Sequence, residues 1–222
     1  MARSATSPRA VIFDLDGVLV DTAQFHLAAW HRIAADYGFQ FEDSVGESLK
    51  GVSRDAALQL VLKAGHMTLD AGEASRAAAR KNRYYRSHIS SLSHEALLPG
   101  AHTGLLWLHQ HRVPVALGSA SKNARAILSA TGIEPLFDVI VDGNSVRKAK
   151  PDPAVFLQAV EELGVPAAQC VVFEDAIAGV AGAIAAGCSV VGVGDPAVLT
   201  EAGHVVGSLA DVSWAELIDV GK

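Results

Sequence analysis

The chain has 222 residues, half of them hydrophobic and 19% charged, which suits one large domain or two small ones around a buried core. Its net charge of −6 argues against a nucleic-acid-binding protein, since such proteins normally carry a basic face. The two cysteines have no metal-ligand spacing and suit a reducing compartment, so we expect a cytoplasmic protein in which Cys170 is a small buried hydrophobic residue.

Two segments need to be separated from targeting and membrane signals. The N-terminal MARSATSPR has no apolar centre and predicts a polar tail, not a signal peptide. Residues 176–194 carry no charge, but Ala and Gly predominate, and Gly187 divides AIAGVAGAIAA from SVVGVG. This pattern indicates a helix, a glycine cap and a strand, so we expect no membrane span.

The first predicted strand covers residues 10–13 and leads directly into Asp14 and Asp16, with Gly17 behind them. If the extended conformation continues past Phe13, the two carboxylates point the same way at a strand end, where open α/β sheets bind ligands. Like charges this close repel, so the pair requires a cation, a shared proton or both. The alternative is an ordinary strand end at which Asp16 caps a turn.

Residues 22–97 have helical patterns and almost no strand signal. Phe25, Trp30 and Ile33 share one helical stripe, while Ser53 and Asp70 are predicted N-caps of two further helices. We therefore predict a helical cap domain at 21–96, inserted after the first strand.

From Pro99 onward helices and strands alternate, which predicts a parallel sheet covered on both faces. The predicted strands read VPVALGS, DVIVDG, QCVVFED and SVVGVG. Together with the first strand, they predict a Rossmann-like, doubly wound α/β core formed by residues 1–20 and 97–222.

Polar side chains follow four of these strands. Besides the first pair, Ser119 ends a strand just before a helix start, Lys150 is fixed by Pro151, and Glu174 and Asp175 end another strand. The carboxyl ends of parallel strands meet at one edge, so we expect these groups to lie together. Carboxylates, an ammonium group and free N–H groups suit Mg²⁺ and phosphoryl transfer, in which a carboxylate can act as the nucleophile.

The order Asp-Leu-Asp-Gly, Ser119, Lys150-Pro151, Glu174-Asp175 resembles the haloacid dehalogenase-like superfamily of phosphotransferases and spans nearly the whole chain. The resemblance implies that Asp14 is the nucleophile and Asp16 the general acid/base. It implies that Ser119 and Lys150 hold the transferring phosphoryl group. The implied Mg²⁺ ligands are Asp14, the Asp16 carbonyl, Glu174 and Asp175.

The inserted segment narrows this resemblance to one branch. Residues 49–54 (LKGVSR), Lys81-Asn82, the run DTAQFHLAAWHRIA and the core SASKN are similar to the β-phosphoglucomutase branch. That branch interconverts β-glucose 1-phosphate and glucose 6-phosphate through glucose 1,6-bisphosphate. The implied supporting catalytic residues are Thr22, His26 and Lys81, and the implied substrate-binding and second-phosphate residues are Lys50, Gly51, Arg54, Ala120, Ser121, Lys122 and Asn123.

Other functions fit the sequence less well. A sugar-phosphate phosphatase with the same site is the main alternative, because it differs only in admitting water to the phosphoenzyme. A dinucleotide-binding protein would need a third glycine after Gly192 and Gly194, and residues 118–121 do not match the serine-hydrolase elbow. We expect a monomer that acts on small sugar phosphates, without a nucleic-acid or membrane partner.

Overall fold

A computed structural model of the chain describes residues 9–218. Six parallel strands form one sheet in the order β3-β2-β1-β4-β5-β6, so the chain winds outward in both directions from β1. The strands are β1 Ala10–Phe13, β2 Val115–Gly118, β3 Val139–Val141, β4 Cys170–Glu174, β5 Ser189–Val193 and β6 His204–Val206.

The helices fill the connections between strands. They are α1 Ala23–Asp36, α2 Arg54–Ala64, α3 Ala71–Ile89, α4 Ala101–Gln110, α5 Ala124–Thr131, α6 Ala154–Leu163, α7 Ile177–Ala185 and α8 Trp214–Leu217. Short 3-10 turns lie at Asp43–Leu49, His94–Ala96, Glu134–Leu136, Ala167–Gln169 and Leu209–Asp211.

Helices cover both faces of the sheet, and successive side chains of each strand point alternately to the two faces, so both sets of side chains are buried. Val11 and Phe13 of β1 pack in one hydrophobic cluster with α4 and α5, whereas Ala10 and Ile12 pack in a second cluster with α6 and α7. All four residues are fully buried. The doubly wound α/β fold predicted from the alternating pattern is therefore confirmed.

Helices α1 to α3 lie between β1 and β2 and have a hydrophobic cluster of their own, centred on Trp30, Ile33, Leu58 and Val61. The predicted caps are present: the Ser53 hydroxyl accepts from Ala56 N, and the Asp70 carboxylate accepts from Glu73 N. Each side chain satisfies an N–H group that the first turn of a helix leaves without a partner.

Three details differ from, or add to, the sequence analysis. Neither β6 nor α8 was predicted, although Trp214 of α8 lies 5.2 Å from the Phe173 ring of the central strand β4. Residues 176–194 form α7 and β5, and within residues 9–218 no helix has the length and apolar character needed to cross a bilayer. The predicted N-terminal tail falls, up to Pro8, outside the described residues.

Candidate active site

The carboxyl ends of the four neighbouring strands β3, β2, β1 and β4 border one cavity of about 680 Å³, which the inserted helices α1 to α3 also line. Fourteen of the sixteen predicted catalytic, binding and metal-ligating positions line this cavity: Asp14, Asp16, His26, Lys50, Gly51, Arg54, Lys81, Ser119, Ala120, Ser121, Lys122, Asn123, Lys150 and Asp175. Thr22 and Glu174 are completely buried and contact lining residues from behind. The structure therefore brings the predicted positions together at one edge of the sheet.

Asp14 is held in place by the sheet and by one lysine. Its N–H donates to Phe173 O of the neighbouring strand at 3.0 Å, and Lys150 Nζ donates to its carboxylate at 2.5 Å. Burial raises the pKa of Asp14 to about 7, although the Lys150 charge opposes that shift. Burial acts to lower the pKa of Lys150, but Asp14 and Glu174 outweigh it and raise that pKa, so the ammonium keeps its charge.

Asp14, Glu174 and Asp175 form a cluster that could hold a metal ion. One carboxylate oxygen of each lies within 4.8 Å of the others. The pKa of Asp175 is raised well above its usual value by burial and by the Glu174 and Asp14 charges. Three crowded carboxylates face one buried ammonium group, Lys150, so the cluster has the oxygen donors and the excess negative charge that a hard divalent cation requires.

Glu174 also organises the protein around it. Its Oε1 accepts from Lys150 Nζ at 2.8 Å, and its Oε2 accepts from the N–H groups of Asp175 and Ala176 at 2.8 and 3.3 Å. Oε2 uses both of its lone pairs in these bonds, whereas Oε1 uses one and has a second lone pair that could bind a cation. The side chain therefore fixes both Lys150 and the loop that carries Asp175.

Two glycines make room for these carboxylates. A Cβ atom at position 17 would lie 2.2 Å from Asp175 Oδ2, and the backbone there has φ +87°, which side chains rarely adopt. A Cβ atom at position 179 would lie 1.4 Å from Glu174 Oε1. Glycine at both positions is thus required by the packing of the acidic cluster.

We expect Gly179→Ala to destabilise the protein, because the new methyl group must displace the Glu174 carboxylate and break its buried ion pair with Lys150. The free energy of unfolding should fall by about 3–5 kcal/mol, measured by denaturant titration. Gly203→Ala is the control, because its Cβ atom would lie 3.5 Å from the nearest atom, an ordinary contact. Equal unfolding free energies for the two variants would contradict this role of Gly179.

Asp16 lies on the turn after β1, because the strand ends at Phe13 and its alternation does not extend to this position. The Thr22 hydroxyl donates to Asp16 Oδ1, and His26 Nε2 lies 3.8 Å from the same oxygen. Burial acts to raise the pKa of Asp16, but His26, Thr22 and the Lys81 charge outweigh it and hold that pKa below its usual value. Asp16 is therefore ionised and ready to accept a proton.

Lys81 is buried and contacts His26 directly, with Nζ 2.7 Å from His26 Nδ1. Its Nζ also lies 4.9 and 4.7 Å from the ring centres of Trp30 and Tyr85. Burial and the Arg54 charge lower the pKa of Lys81 to about 7. In its charged form Lys81 can only donate, so His26 Nδ1 accepts from it in that form, and the ring proton is then on Nε2, facing Asp16.

Sequence reasoning missed Tyr85, whose hydroxyl lies 3.5 Å from Asp16 Oδ1 and whose ring contacts that of His26. It also took Trp30 only as part of an apolar stripe. Both aromatic residues occur at helical spacing, which is the signal of a packed core. Nothing in that spacing distinguishes a core ring from one that also faces a buried ammonium group.

A second polar group lies where the loop between β2 and α5 meets Arg54 of α2 and Asn82 of α3. Within residues 9–218, the N–H groups of Ala120 and Lys122 have no protein acceptor, and Arg54 has no carboxylate within 4 Å. Arg54 instead donates to Asn82 Oδ1 at 2.9 Å, and Asn123 donates to that same oxygen at 3.0 Å. Unpaired cations beside free N–H groups can bind an anion.

Lys50 lies between the two sides of the cavity. Its Nζ is 3.1 Å from Glu47 of the inserted segment and 3.9 Å from Asp175 of the core. A Cβ atom at the neighbouring Gly51 would lie 2.9 Å from the Ala176 Cβ atom, so the segment packs tightly against the core here. Through these contacts the inserted segment covers the acidic cluster of the core.

The chain is similar to known proteins over most of its length. A family profile described as haloacid dehalogenase-like hydrolase matches residues 8–187. The chain is 40% identical over 207 residues to β-phosphoglucomutase of Bacillus subtilis, covering 92% of each chain. It is 33% identical over 183 residues to a fructose-1-phosphate phosphatase of Escherichia coli, covering 82% of this chain and 95% of that one.

Among solved structures, β-phosphoglucomutase from Clostridium difficile superposes with a TM-score of 0.88 at 36% identity, covering 93% of each chain. The matched region includes every strand end that lines the cavity up to Asp175. The chain therefore belongs to the haloacid dehalogenase-like hydrolase family of enzymes.

Proposed function

We propose that the protein interconverts β-D-glucose 1-phosphate and D-glucose 6-phosphate through β-glucose 1,6-bisphosphate, with a phosphoryl group carried on Asp14. The observation that supports this most is the presence of two separate cationic groups in one cavity. Lys150 is paired with the nucleophile, whereas Arg54 has no carboxylate partner among residues 9–218. A mutase needs both, because its intermediate carries two phosphates.

The transfer can be written with this chain's own residues. With the phosphoryl group on Asp14, the Asp16 carboxylate takes the proton of the incoming sugar hydroxyl group, whose oxygen attacks the phosphorus as the Asp14–phosphorus bond breaks. In the next transfer an Asp14 oxygen attacks the other phosphorus of the bisphosphate, and the sugar oxygen leaves with that proton from the Asp16 carboxyl group. Lys150 and Ser119 hold the phosphoryl oxygens, while Thr22, His26 and Lys81 keep Asp16 in position.

We propose Mg²⁺ as the cofactor, held by Asp14, Glu174, Asp175 and the Asp16 carbonyl oxygen. The three carboxylates offer only hard oxygen donors, and no cysteine or histidine belongs to the cluster found within residues 9–218. When bound, the ion neutralises charge on the nucleophile and on the transferring phosphoryl group.

We further propose that residues 21–96 are a cap domain that closes over a core formed by residues 1–20 and 97–222. Contacts across the cavity support this division: Lys50 with Asp175, and Asn82 with Asn123. The segment 20–22 would then be a hinge that couples the cap to Asp16 through Thr22. Closure keeps water from the phosphoenzyme, which a mutase requires.

The second polar group of the cavity would bind the phosphate that does not react. Arg54, Lys122 and Asn123 supply its donors, together with the Ser121 hydroxyl group and the Ala120 N–H, and Lys50 and Gly51 border the sugar. Arginine presents forked donors that match phosphate oxygens. That the protein is a cytoplasmic monomer acting without nucleic acid stays a prediction from the sequence.

A sugar-phosphate phosphatase is the second candidate, and the 33% identity to a fructose-1-phosphate phosphatase supports it. The two functions differ only in the acceptor of the Asp14 phosphoryl group, which is a sugar hydroxyl group in one and water in the other.

The test supplies Mg²⁺, β-glucose 1-phosphate and a trace of glucose 1,6-bisphosphate. A mutase forms glucose 6-phosphate without a matching release of inorganic phosphate. Steady release of phosphate, equal to the sugar phosphate consumed, would replace the mutase by the phosphatase. Protein with Asp14→Asn, carried through the same purification, controls for contaminating activities.

A further inference from the structure

Asn82 of α3 joins the two sides of the cavity through a single oxygen atom. Its Oδ1 accepts from Arg54 Nη2 at 2.9 Å and from Asn123 Nδ2 at 3.0 Å. Arg54 begins α2 in the inserted segment, whereas Asn123 directly precedes α5 in the core. Since a guanidinium group has no acceptor, the Asn82 group that faces it must be the carbonyl oxygen.

The positive charge of Arg54 is not cancelled by a neighbouring carboxylate. Lys150 and Lys50 in the same cavity have carboxylates within 4 Å, but within residues 9–218 the half-buried Arg54 has none. Its acceptor is a neutral amide, which fixes the guanidinium group without cancelling its charge. An aspartate at position 82 would have nearly the same shape and would neutralise Arg54.

We propose that Asn82 is a positioning residue that holds Arg54 and Asn123 together as a ready-made pair of donors for the second, non-reacting phosphate of a bisphosphorylated sugar. This inference rests on the proposed function only in requiring two phosphates in the cavity at once. Asn82 accepts one side-chain N–H of Arg54 and one of Asn123, and no acceptor within residues 9–218 takes their other side-chain N–H groups, which can bind phosphate oxygens.

The amide also explains why the donors need not be reorganised when the phosphate binds. Arg54 is a long side chain with several rotatable bonds, and ordering it during binding would weaken affinity. Asn82 holds it in advance from α3, a 19-residue helix whose Ala77, Ala78 and Tyr85 are buried. The position of the donors is thus set by a helix that the core of the inserted segment fixes.

The test compares two phosphoryl donors for Asp14. β-Glucose 1,6-bisphosphate would occupy both phosphate-binding sites of the cavity, one at Lys150 and one at Arg54 and Asn123. Acetyl phosphate carries one phosphate and needs only the site at Lys150. We expect Asn82→Asp to raise the half-saturating bisphosphate concentration by about 10- to 100-fold, through loss of the Arg54 charge. The half-saturating acetyl phosphate concentration should stay within about twofold of the wild type.

Asn82→Ala should raise the half-saturating bisphosphate concentration less than Asn82→Asp does, because it frees the Arg54 side chain without neutralising its charge. Arg83→Ala, one position along α3 and exposed, is the matched control and should leave both donors unaffected. If Asn82 only fastened the cap to the core, both variants would raise the half-saturating concentrations of both donors together. The increase for Asn82→Asp would then be no larger than that for Asn82→Ala. Either result overturns the proposal.

The products of wild-type protein are recorded in the same experiment and answer a different question. Transfer of the Asp14 phosphoryl group to sugar supports the mutase, and its release to water supports the phosphatase. The half-saturating concentrations of the two donors can be compared for the Asn82 variants whether the protein is a mutase or a phosphatase. In both, the donor phosphorylates Asp14 before the phosphoryl group moves on to sugar or to water. Thermal unfolding of each variant verifies that it is folded.

Discussion

Asp14→Asn is expected to lower turnover by about 10⁴-fold or more, because a carboxamide is a very poor nucleophile and no phosphoenzyme can form. The substitution preserves the size of the side chain, and an amide oxygen can still accept from Lys150, which lies 2.5 Å from the Asp14 carboxylate. The fold should therefore survive. Turnover of the sugar phosphate and phosphorylation of the protein by acetyl phosphate, measured by mass spectrometry, should both disappear.

Asp195→Asn is the matched control for this loss. Asp195 follows β5 at the same edge of the sheet, is exposed and does not line the cavity. Its side chain accepts from Ala197 N, which an asparagine can also do. Wild-type turnover is expected for that variant. Residual turnover of Asp14→Asn above about 1% of wild type, or a phosphoprotein of normal stoichiometry, would remove Asp14 from the role of nucleophile.

Asp16→Asn is expected to reduce kcat for β-glucose 1-phosphate by about 10²- to 10⁴-fold, the usual contribution of a general acid/base. An asparagine can still accept from the Thr22 hydroxyl group, so the turn after β1 should be kept. It cannot carry the proton between the leaving and incoming sugar oxygens. Because acetate leaves without protonation, the loss should be much smaller when acetyl phosphate phosphorylates Asp14.

Metal affinity separates this role from a structural one. The proposed contact of Asp16 with Mg²⁺ is through its backbone carbonyl oxygen, so the substitution should change the Mg²⁺ dissociation constant by less than about threefold, measured by calorimetric titration. An equal loss of rate with both phosphoryl donors, or loss of Mg²⁺ binding, would mean that Asp16 does not act as the proton carrier.

The sequence was sufficient to predict which polar residues lie together at the carboxyl edge of the sheet, for a physical reason. In a parallel sheet every strand ends on the same side, so Asp14, Ser119, Lys150 and Asp175 must lie near one another once their strands are recognised. Helix caps such as Ser53 and Asp70 were equally predictable, because they depend on local hydrogen bonds.

Contacts between distant segments were not predictable in this way. The Tyr85 hydroxyl lies near Asp16 only because α3 packs across the cavity, and the sequence separation of the two residues is 69. The shared oxygen of Asn82 likewise depends on three elements meeting at one point. The short strand β6 and helix α8 have too few residues for a clear periodic pattern, and they are fixed by packing against β5 and the Phe173 ring.

The central claim is that the phosphoryl group on Asp14 passes to sugar and not to water. The most direct test loads Asp14 with a ³²P-labelled phosphoryl group from acetyl phosphate, removes the excess reagent and adds β-glucose 1-phosphate in a single turnover. If the phosphoryl group passes to sugar, most of the label is recovered in glucose 1,6-bisphosphate and glucose 6-phosphate. Recovery of most of the label as inorganic phosphate, at a rate that added sugar phosphate does not change, would contradict it.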